Sequence, residues 1–515
     1  MRPLSPFGYP VGQRQRAGGL RRRSLLLLVL ALYLSATNLA WAHSHSTTPQ
    51  PFIREAPADS LGPSRVIVAR DLEDSTYGVR SADRAPLSDD PDERYHCSSI
   101  YGTNTVLGSF RPALVNVSFN TGSSAQVALV VFNWLDQDHL GKPNPASTPA
   151  NPTPKVFVCT DDAMTLLLCD RSEYGQILVS DPQTTHSPIL TRYVDLAAIT
   201  DAADLTNILS YPVAETGIYC VEAVSFRSPS PESFSGEVQW INPYGNLPAV
   251  SYPKIMFYGL MTITYLIVGL LWLVGTIRYW REILPVQNYL SLLLICLLVD
   301  FAVEFWFFLH YNTYGSKSLP LTIFLIILSA LRNSLSFFML LLVALGYSVV
   351  KPSLGSTMLK CQILAGLQFL FATLYGIATI ARLGNSDSEL VAFIALLPLA
   401  ITMATFYLWI LIGLSRTVRF LQMRHQHFKL AMYRNIWRLL FFCACIIMLL
   451  VLVNIINFVF RNDRKWIVFR WQVQWVLFDG WLNALYTFAF FIILYLWRPT
   501  KHNSRYGLEE LAGDE

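Results

Sequence analysis

Apolar positions in this chain follow two patterns that change near residue 252. Beyond that point they form seven long runs, residues 255–277, 288–309, 321–347, 361–381, 391–415, 436–460 and 474–497. Each is close to the ~20 apolar residues that a helix needs to cross a bilayer. Before it, apolar residues come in short bursts that alternate with polar ones, as half-buried strands do. The bursts are residues 113–119, 126–134, 155–159, 176–180, 217–226 and 237–241, and turn residues such as Pro145-Ala-Ser-Thr-Pro149 separate them. Short strands with polar turns predict an antiparallel sandwich over residues 95–250. Residues 43–94 are rich in Pro, Ser, Asp and Arg, with only 66–69 strand-like, and read as a flexible leader.

The first residues carry a separate signal. Arg21, Arg22 and Arg23 precede an apolar run, residues 24–34, followed by Ala40-Trp41-Ala42. A basic segment, a short apolar segment and an A-x-A site describe a secretory signal peptide. The run is too short to span a bilayer, so residues 1–42 are expected to be removed.

Composition narrows the class. The chain is 53% hydrophobic and 14% charged, against about 25% charge in soluble domains. That excludes a disordered chain or a fibre and makes a soluble enzyme an unsuitable reading. Residues 43–252 hold 24 acids and 12 bases, while residues 253–515 hold 11 acids and 21 bases. An acidic soluble half without a basic stripe does not suit nucleic acid.

Charge also orients the spans. With the amino-terminal half outside, the inner segments hold 13 Lys and Arg and the outer loops 6. This bias puts the soluble half in the lumen or outside the cell and the tail, residues 499–515, in the cytosol. The segment 416–438 reads as the most basic inner loop, either lying on anionic lipid or following ordinary inner positive bias.

Eight cysteines divide evenly between the two halves. Cys97, Cys159, Cys169 and Cys220 lie in the soluble half, where an even count behind a signal peptide predicts disulfides with three connectivities. Cys159–Cys169 as a local staple and Cys97–Cys220 as a long bridge are favoured. Asn116-Val117-Ser118 is a sequon, which accepts a glycan only where it is exposed. No His, Cys and acid cluster predicts a metal or cofactor.

Four ionisable residues fall inside predicted spans: Asp300 and Glu304 in the second, Arg332 in the third and Asp479 in the seventh. Each unpaired charge at mid-bilayer costs at least about 2.5–3.5 kcal/mol, so all four must face inward. Asp300 and Glu304 are four residues apart and share one helix face. With Asn454 and Asn457 of the sixth span they predict a polar hollow, open to the lumen and narrowing to Arg332 at its deepest point. Three uses stay open: an Arg332–Asp300 pair that fixes packing, a cavity for a lipid or other amphiphile, and an ion or proton path. The nucleotide, protease and hydrolase motifs GxxxxGK[ST], HExxH, GxSxG and GxGxxG are absent, and no enzyme is predicted.

Several segments resemble one family. Trp240-Ile-Asn-Pro-Tyr-Gly-Asn-Leu-Pro-Ala249 with Tyr252-Pro-Lys-Ile-Met-Phe-Tyr-Gly259 is similar to the domain junction of the lung seven-transmembrane receptor family. Its members are also termed GOLD-domain seven-transmembrane, or GOST, proteins. Arg332-Asn-Ser-Leu-Ser-Phe337 with Leu345-Gly-Tyr-Ser-Val-Val-Lys-Pro-Ser-Leu354 resembles its third-helix signature, and Leu496-Trp-Arg-Pro499 its seventh-helix end. Tyr211-Pro-Val-Ala-Glu-Thr-Gly-Ile-Tyr-Cys220 resembles the last block of its lumenal domain. The fungal-type branch is the nearest in pattern. The resemblance implies a lumenal all-β GOLD-like sandwich followed by a seven-helix transmembrane bundle over residues 253–498. It also implies residence in Golgi and endosomes, a role in membrane trafficking with a lumenal cargo or protein partner, and a lumen-side cavity able to hold a membrane phospholipid. Asp300, Glu304, Arg332 and Asp479 are the residues it assigns to that cavity. The alternative is a pH-sensitive cation channel or a ligand-responsive receptor.

Overall fold

The computed structural model describes residues 84–89, 93–103, 111–120, 125–145, 155–199, 209–225, 234–351, 353–382, 389–460 and 464–499. The expected signal peptide, most of the leader with its strand at 66–69, and the tail beyond residue 499 lie outside the described residues.

Eight strands form two four-stranded antiparallel sheets. They are β1 Arg84–Ser88, β2 Tyr95–Ile100, β3 Leu114–Phe119, β4 Gln126–Asn133, β5 Leu190–Asp195, β6 Leu209–Pro212, β7 Gly217–Ser225 and β8 Ser235–Ile241. The orders are β1-β8-β3-β6 and β2-β7-β4-β5. Alternation of buried and half-buried residues along β3 and β8 points Val115, Val117, Val238 and Trp240 into the space between the sheets. There they meet Val127, Leu129, Val131 and Val221 of the facing sheet, and the Trp240 indole donates to the Tyr219 carbonyl at 3.2 Å.

Three expectations are corrected. β1 pairs with β8 from within the segment read as leader, because Leu87 is fully buried and anchors an otherwise polar strand. The bursts at 155–159 and 176–180 make only isolated bridges, Leu140↔Val179, Lys142↔Val156 and Val158↔Ile177. β2, β5 and β6 are added, whose hydropathy is too mixed to have signalled them. Both favoured disulfides are present, Cys97–Cys220 joining β2 to β7 and Cys159–Cys169 closing a short loop. Asn116 lies not on a loop but on inner strand β3, between β6 and β8, with its carboxamide oxygen buried.

The second half is helical: α1 Tyr252–Arg278, α2 Pro285–Tyr314, α3 Leu319–Ala344, α4 Ser356–Arg382, α5 Glu389–Met423, α6 His427–Val459, α7 Arg464–Trp475 and α8 Trp481–Leu496. Among the described residues six helices are long and apolar enough to cross a membrane, and α8 is a shorter apolar helix. The seventh span is broken: α7 passes into α8 through a π turn, Val476–Gly480, where the Trp475 ring lies against Gly480. The segment 416–438, read as a loop, is instead mostly helix. α5 runs on to Met423 and α6 starts at His427, since charged residues continue a helix once it has left the apolar layer.

Residues 240–259 join the two halves rigidly. Asn312, near the end of α2, accepts from the Leu247 amide at 3.1 Å and donates to the Tyr244 carbonyl at 2.9 Å. Gly245 takes φ 144° there, and a side chain would strike the Asn312 carboxamide. Tyr244 and Tyr252 stack at 3.7 Å, and the Tyr101 ring meets Trp471 of α7 at 5.3 Å. Ile467 and Trp471 thereby share one apolar cluster with Val130, Phe132 and Ile218 of the sandwich.

Candidate functional site

The charged residues of the bundle interior form a connected polar column. α2 places Asp300 and Glu304 one turn apart, and α3 places Ser329, Arg332 and Ser336 on the facing surface. The Arg332 guanidinium donates to Asp300, which is fully buried, and reaches the Ser329 hydroxyl at 3.4 Å. Phe301 lies beneath the guanidinium, 5.8 Å from its ring centre. Ser336 donates to the Arg332 carbonyl at 2.6 Å and lies 2.7 Å from the Tyr486 hydroxyl of α8. The other Asp300 oxygen has no partner among the described residues.

A second cluster lies closer to the sandwich. Asp479, carried by the π turn, accepts from the Tyr258 phenol at 2.6 Å and from Asn483 at 2.9 Å, and pairs with Lys254 at 3.6 Å. The Tyr258 phenol also neighbours Glu304, which interacts electrostatically with Arg332. The column therefore runs Lys254, Asp479, Tyr258, Glu304, Arg332 and Asp300. Accessibility is uneven along it: the side chains are 17% exposed at Lys254, 32% at Asp479, 13% at Arg332 and 0% at Asp300, and Tyr258 between Asp479 and Arg332 is buried. Its most exposed group, Asp479, lies at the sandwich end, and its most enclosed, Asp300, in the ion pair.

This arrangement brings four of the sequence-derived residues together. Asn454 and Asn457 donate back to the Leu450 and Val453 carbonyls of their own helix, and among the described residues no hydrogen bond joins either side chain to the column. Arg332 is not the deepest group; it shares its depth with Asp300, the more enclosed of the two. Three residues of α1 went unrecognised. Lys254, Tyr258 and Tyr265 are spaced by four and seven, which puts them on one helix face, and that pattern was readable. Tyr265 donates to Thr487 of α8 at 3.1 Å and stacks on Phe301.

Two expected results follow. Tyr258→Phe removes a hydrogen bond to a carboxylate while Lys254 and Asn483 still hold Asp479. A loss of about 1.5–3 kcal/mol in unfolding free energy is expected from such a bond. An unchanged unfolding midpoint in detergent would remove the phenol from the column. Lys317, in the connection after α2, rests 5.6 Å from the Tyr311 ring centre. Burial first, and Lys254 second, push its ammonium down to about 8 from 10.5. Between those values the unfolded chain holds the proton and the folded chain has released it, so stability rises with pH across that interval. Lys317→Met should abolish this rise, as read from unfolding midpoints across the interval.

Comparison with known proteins agrees with this architecture. A family model described as GOST, seven transmembrane domain, matches residues 253–504, and one described as PTM1-like, N-terminal domain, matches residues 93–242. An uncharacterized protein of Schizosaccharomyces pombe is 30% identical over 402 residues, covering 77% of this chain and 76% of its own. Membrane protein PTM1 of Saccharomyces cerevisiae is 27% identical, covering 78% and 77%. Transmembrane protein 87A of Homo sapiens is 28% identical over 55% of this chain and 49% of its own. With a PTM1-like sandwich joined to seven spans by the Trp240–Ala249 segment, the chain belongs to the GOST seven-transmembrane family.

Proposed function

We propose that this protein is a non-enzymatic Golgi and endosomal membrane-trafficking protein whose sandwich recognises cargo or a protein partner in the lumen. The bundle anchors it, and the polar column, most exposed at its sandwich end, accepts the headgroup of a membrane phospholipid. The observation that carries this reading is the rigid seating of the sandwich on the column's mouth through Asn312, Tyr244, Tyr252, Tyr101 and Trp471. Binding to the sandwich and occupancy of the mouth are then mechanically linked. Among the described residues β1, β6, β2 and β5 are the edge strands, the positions that an extended partner segment would join. The lumenal placement is supported by charge: at the far end of the bundle Arg278, Arg281, Lys351, Arg416, Arg419 and Arg424 greatly outnumber Glu282. The Golgi location rests on the family resemblance.

The test is fluorescence localisation together with secretome analysis in cells lacking the protein. Golgi residence and missorting of a defined set of lumenal proteins support the reading; normal sorting removes it. The uneven accessibility of the acids favours a second reading, a cation channel. Current across a bilayer holding purified protein, lost in Glu304→Gln, would establish the channel; no current would dismiss it.

A further inference from the structure

A cleft lies at the end of the bundle remote from the sandwich. It has a volume of about 250 Å³ and opens between the turn after α3, the start of α4 and the last turns of α5. Its polar wall is Lys351, Ser353, Thr357 and Arg416; its apolar wall includes Trp409 and Ile412. We propose that this cleft binds the phosphate of an anionic phospholipid headgroup, with Lys351 and Arg416 as its two cationic ligands and the acyl chains running up the α4–α5 surface.

Four observations carry it. First, both cations are uncompensated by sequence: residues 346–382 and 396–423, which build the cleft, contain no Asp or Glu. Second, Lys351 is held in place by its backbone. Gly346 and Ser348 take positive φ of 80° and 67°, the Lys351 amide donates to the Gly346 carbonyl at 3.0 Å, and the Lys351 carbonyl accepts from Ser348 at 2.9 Å. Such a turn keeps the ammonium root in place at little entropic cost on binding. This turn, Gly346–Lys351, lies in the sequence stretch likened to the third-helix signature, to which the polar column assigns no role. Third, the hydroxyls of Ser353 and Thr357 stand at the start of a 27-residue helix, whose dipole adds to the attraction for an anion. Thr417 contributes only to the wall, since its hydroxyl donates to the Ala344 carbonyl at 2.9 Å.

The fourth observation selects lipid over a soluble anion. The cleft is amphipathic and lies at the end of membrane-spanning helices. Ile412 in its wall is 48% exposed, and Leu359, two residues beyond Thr357, is 60% exposed. Trp409 completes the kind of aromatic border found at headgroup depth. A soluble phosphate would use the cations and leave this apolar wall in water. The inference concerns the opposite end of the bundle from the polar column and holds whichever compartment each end faces.

The test uses the full-length protein in detergent and reads the shift of its unfolding midpoint on titration. The probes are dioctanoyl phosphatidic acid, dioctanoyl phosphatidylcholine and inorganic phosphate. Saturable stabilisation by phosphatidic acid alone is expected. The double substitution Lys351→Gln with Arg416→Gln should weaken it about tenfold or more, through loss of two charge-assisted contacts. Arg434→Gln with Arg438→Gln, on the same end but outside the cleft, should change it by no more than about twofold. Equal stabilisation by inorganic phosphate, equal binding of phosphatidylcholine, or equal weakening by the Arg434 and Arg438 pair would each overturn the proposal. A measurement independent of folding in the variants is native mass spectrometry of the unsubstituted protein, taken from vesicles of equal phosphatidic acid and phosphatidylcholine. Retained phosphatidic acid supports the site, and retention without preference overturns it.

Discussion

Asp300→Ala should be among the most damaging single substitutions in the bundle, lowering its stability by about 3–5 kcal/mol. The carboxylate is fully buried and is the ion-pair partner of Arg332, which is otherwise left with the 3.4 Å contact to Ser329, the Phe301 ring and the more distant charge of Glu304. Removing the acid leaves a guanidinium in the apolar layer, where an unpaired charge is costly. Arg332→Leu should cost a comparable amount, because it leaves a buried carboxylate, one oxygen of which already lacks a partner. The double substitution Asp300→Leu with Arg332→Leu should recover most of the loss, since an apolar pair of similar volume removes both desolvation costs. Unfolding midpoints of the three variants in one detergent decide the matter. Additive losses in the double variant would mean that the two side chains act separately. A double variant that folds but no longer traffics cargo would show that the pair serves more than packing.

The second large effect concerns the sandwich. Cys97–Cys220 closes a loop with a sequence separation of 123, whereas Cys159–Cys169 spans 10. Loop-closure entropy then favours the long bridge, by about 5 kcal/mol against about 2.5–3 kcal/mol. The long bridge also ties edge strand β2 to β7 beside the cluster that contacts the bundle. Cys97→Ala with Cys220→Ala should therefore lower the denaturant midpoint of the sandwich by roughly twice as much as Cys159→Ala with Cys169→Ala. Trp240, buried between the sheets, is a suitable fluorescence reporter. Equal losses from the two pairs would set aside the loop-length account.

Much of the fold was legible because hydropathy is read over windows. Six apolar runs correspond to helices long enough to span, and four of the bursts correspond to β3, β4, β7 and β8. The edge strands were missed for a common reason. β1 and β5 each bury a single residue, and β2 and β6 bury theirs within short or polar stretches; all four are held by ladder bonds to stronger neighbours, which leaves little local signature. The seventh run, 474–497, contains α8 but not the preceding helix α7, Arg464–Trp475. Arg464, Lys465 and Arg470 lowered its hydropathy, yet Ile467 and Trp471 of the same helix bury against the sandwich. Hydropathy registers the charges and cannot see the domain that covers the apolar face.

The site divides along the same line. Sequence by itself determined that Asp300, Glu304, Arg332 and Asp479 must turn inward, because the cost of charge in hydrocarbon is a property of each residue alone. It also determined the shared face of Asp300 and Glu304, through the helical repeat. Tertiary structure decided the partners. Tyr258 meets Asp479 across 221 residues of chain, and Arg332 meets Asp300 across 32, through the rotations of packed helices. In a bilayer the lipid-facing and buried surfaces of a helix are both apolar, so the hydropathy of a span carries almost no record of its rotation. That rotation, set by packing alone, left Asn454 and Asn457 bonded to their own helix and brought Lys254 into the column.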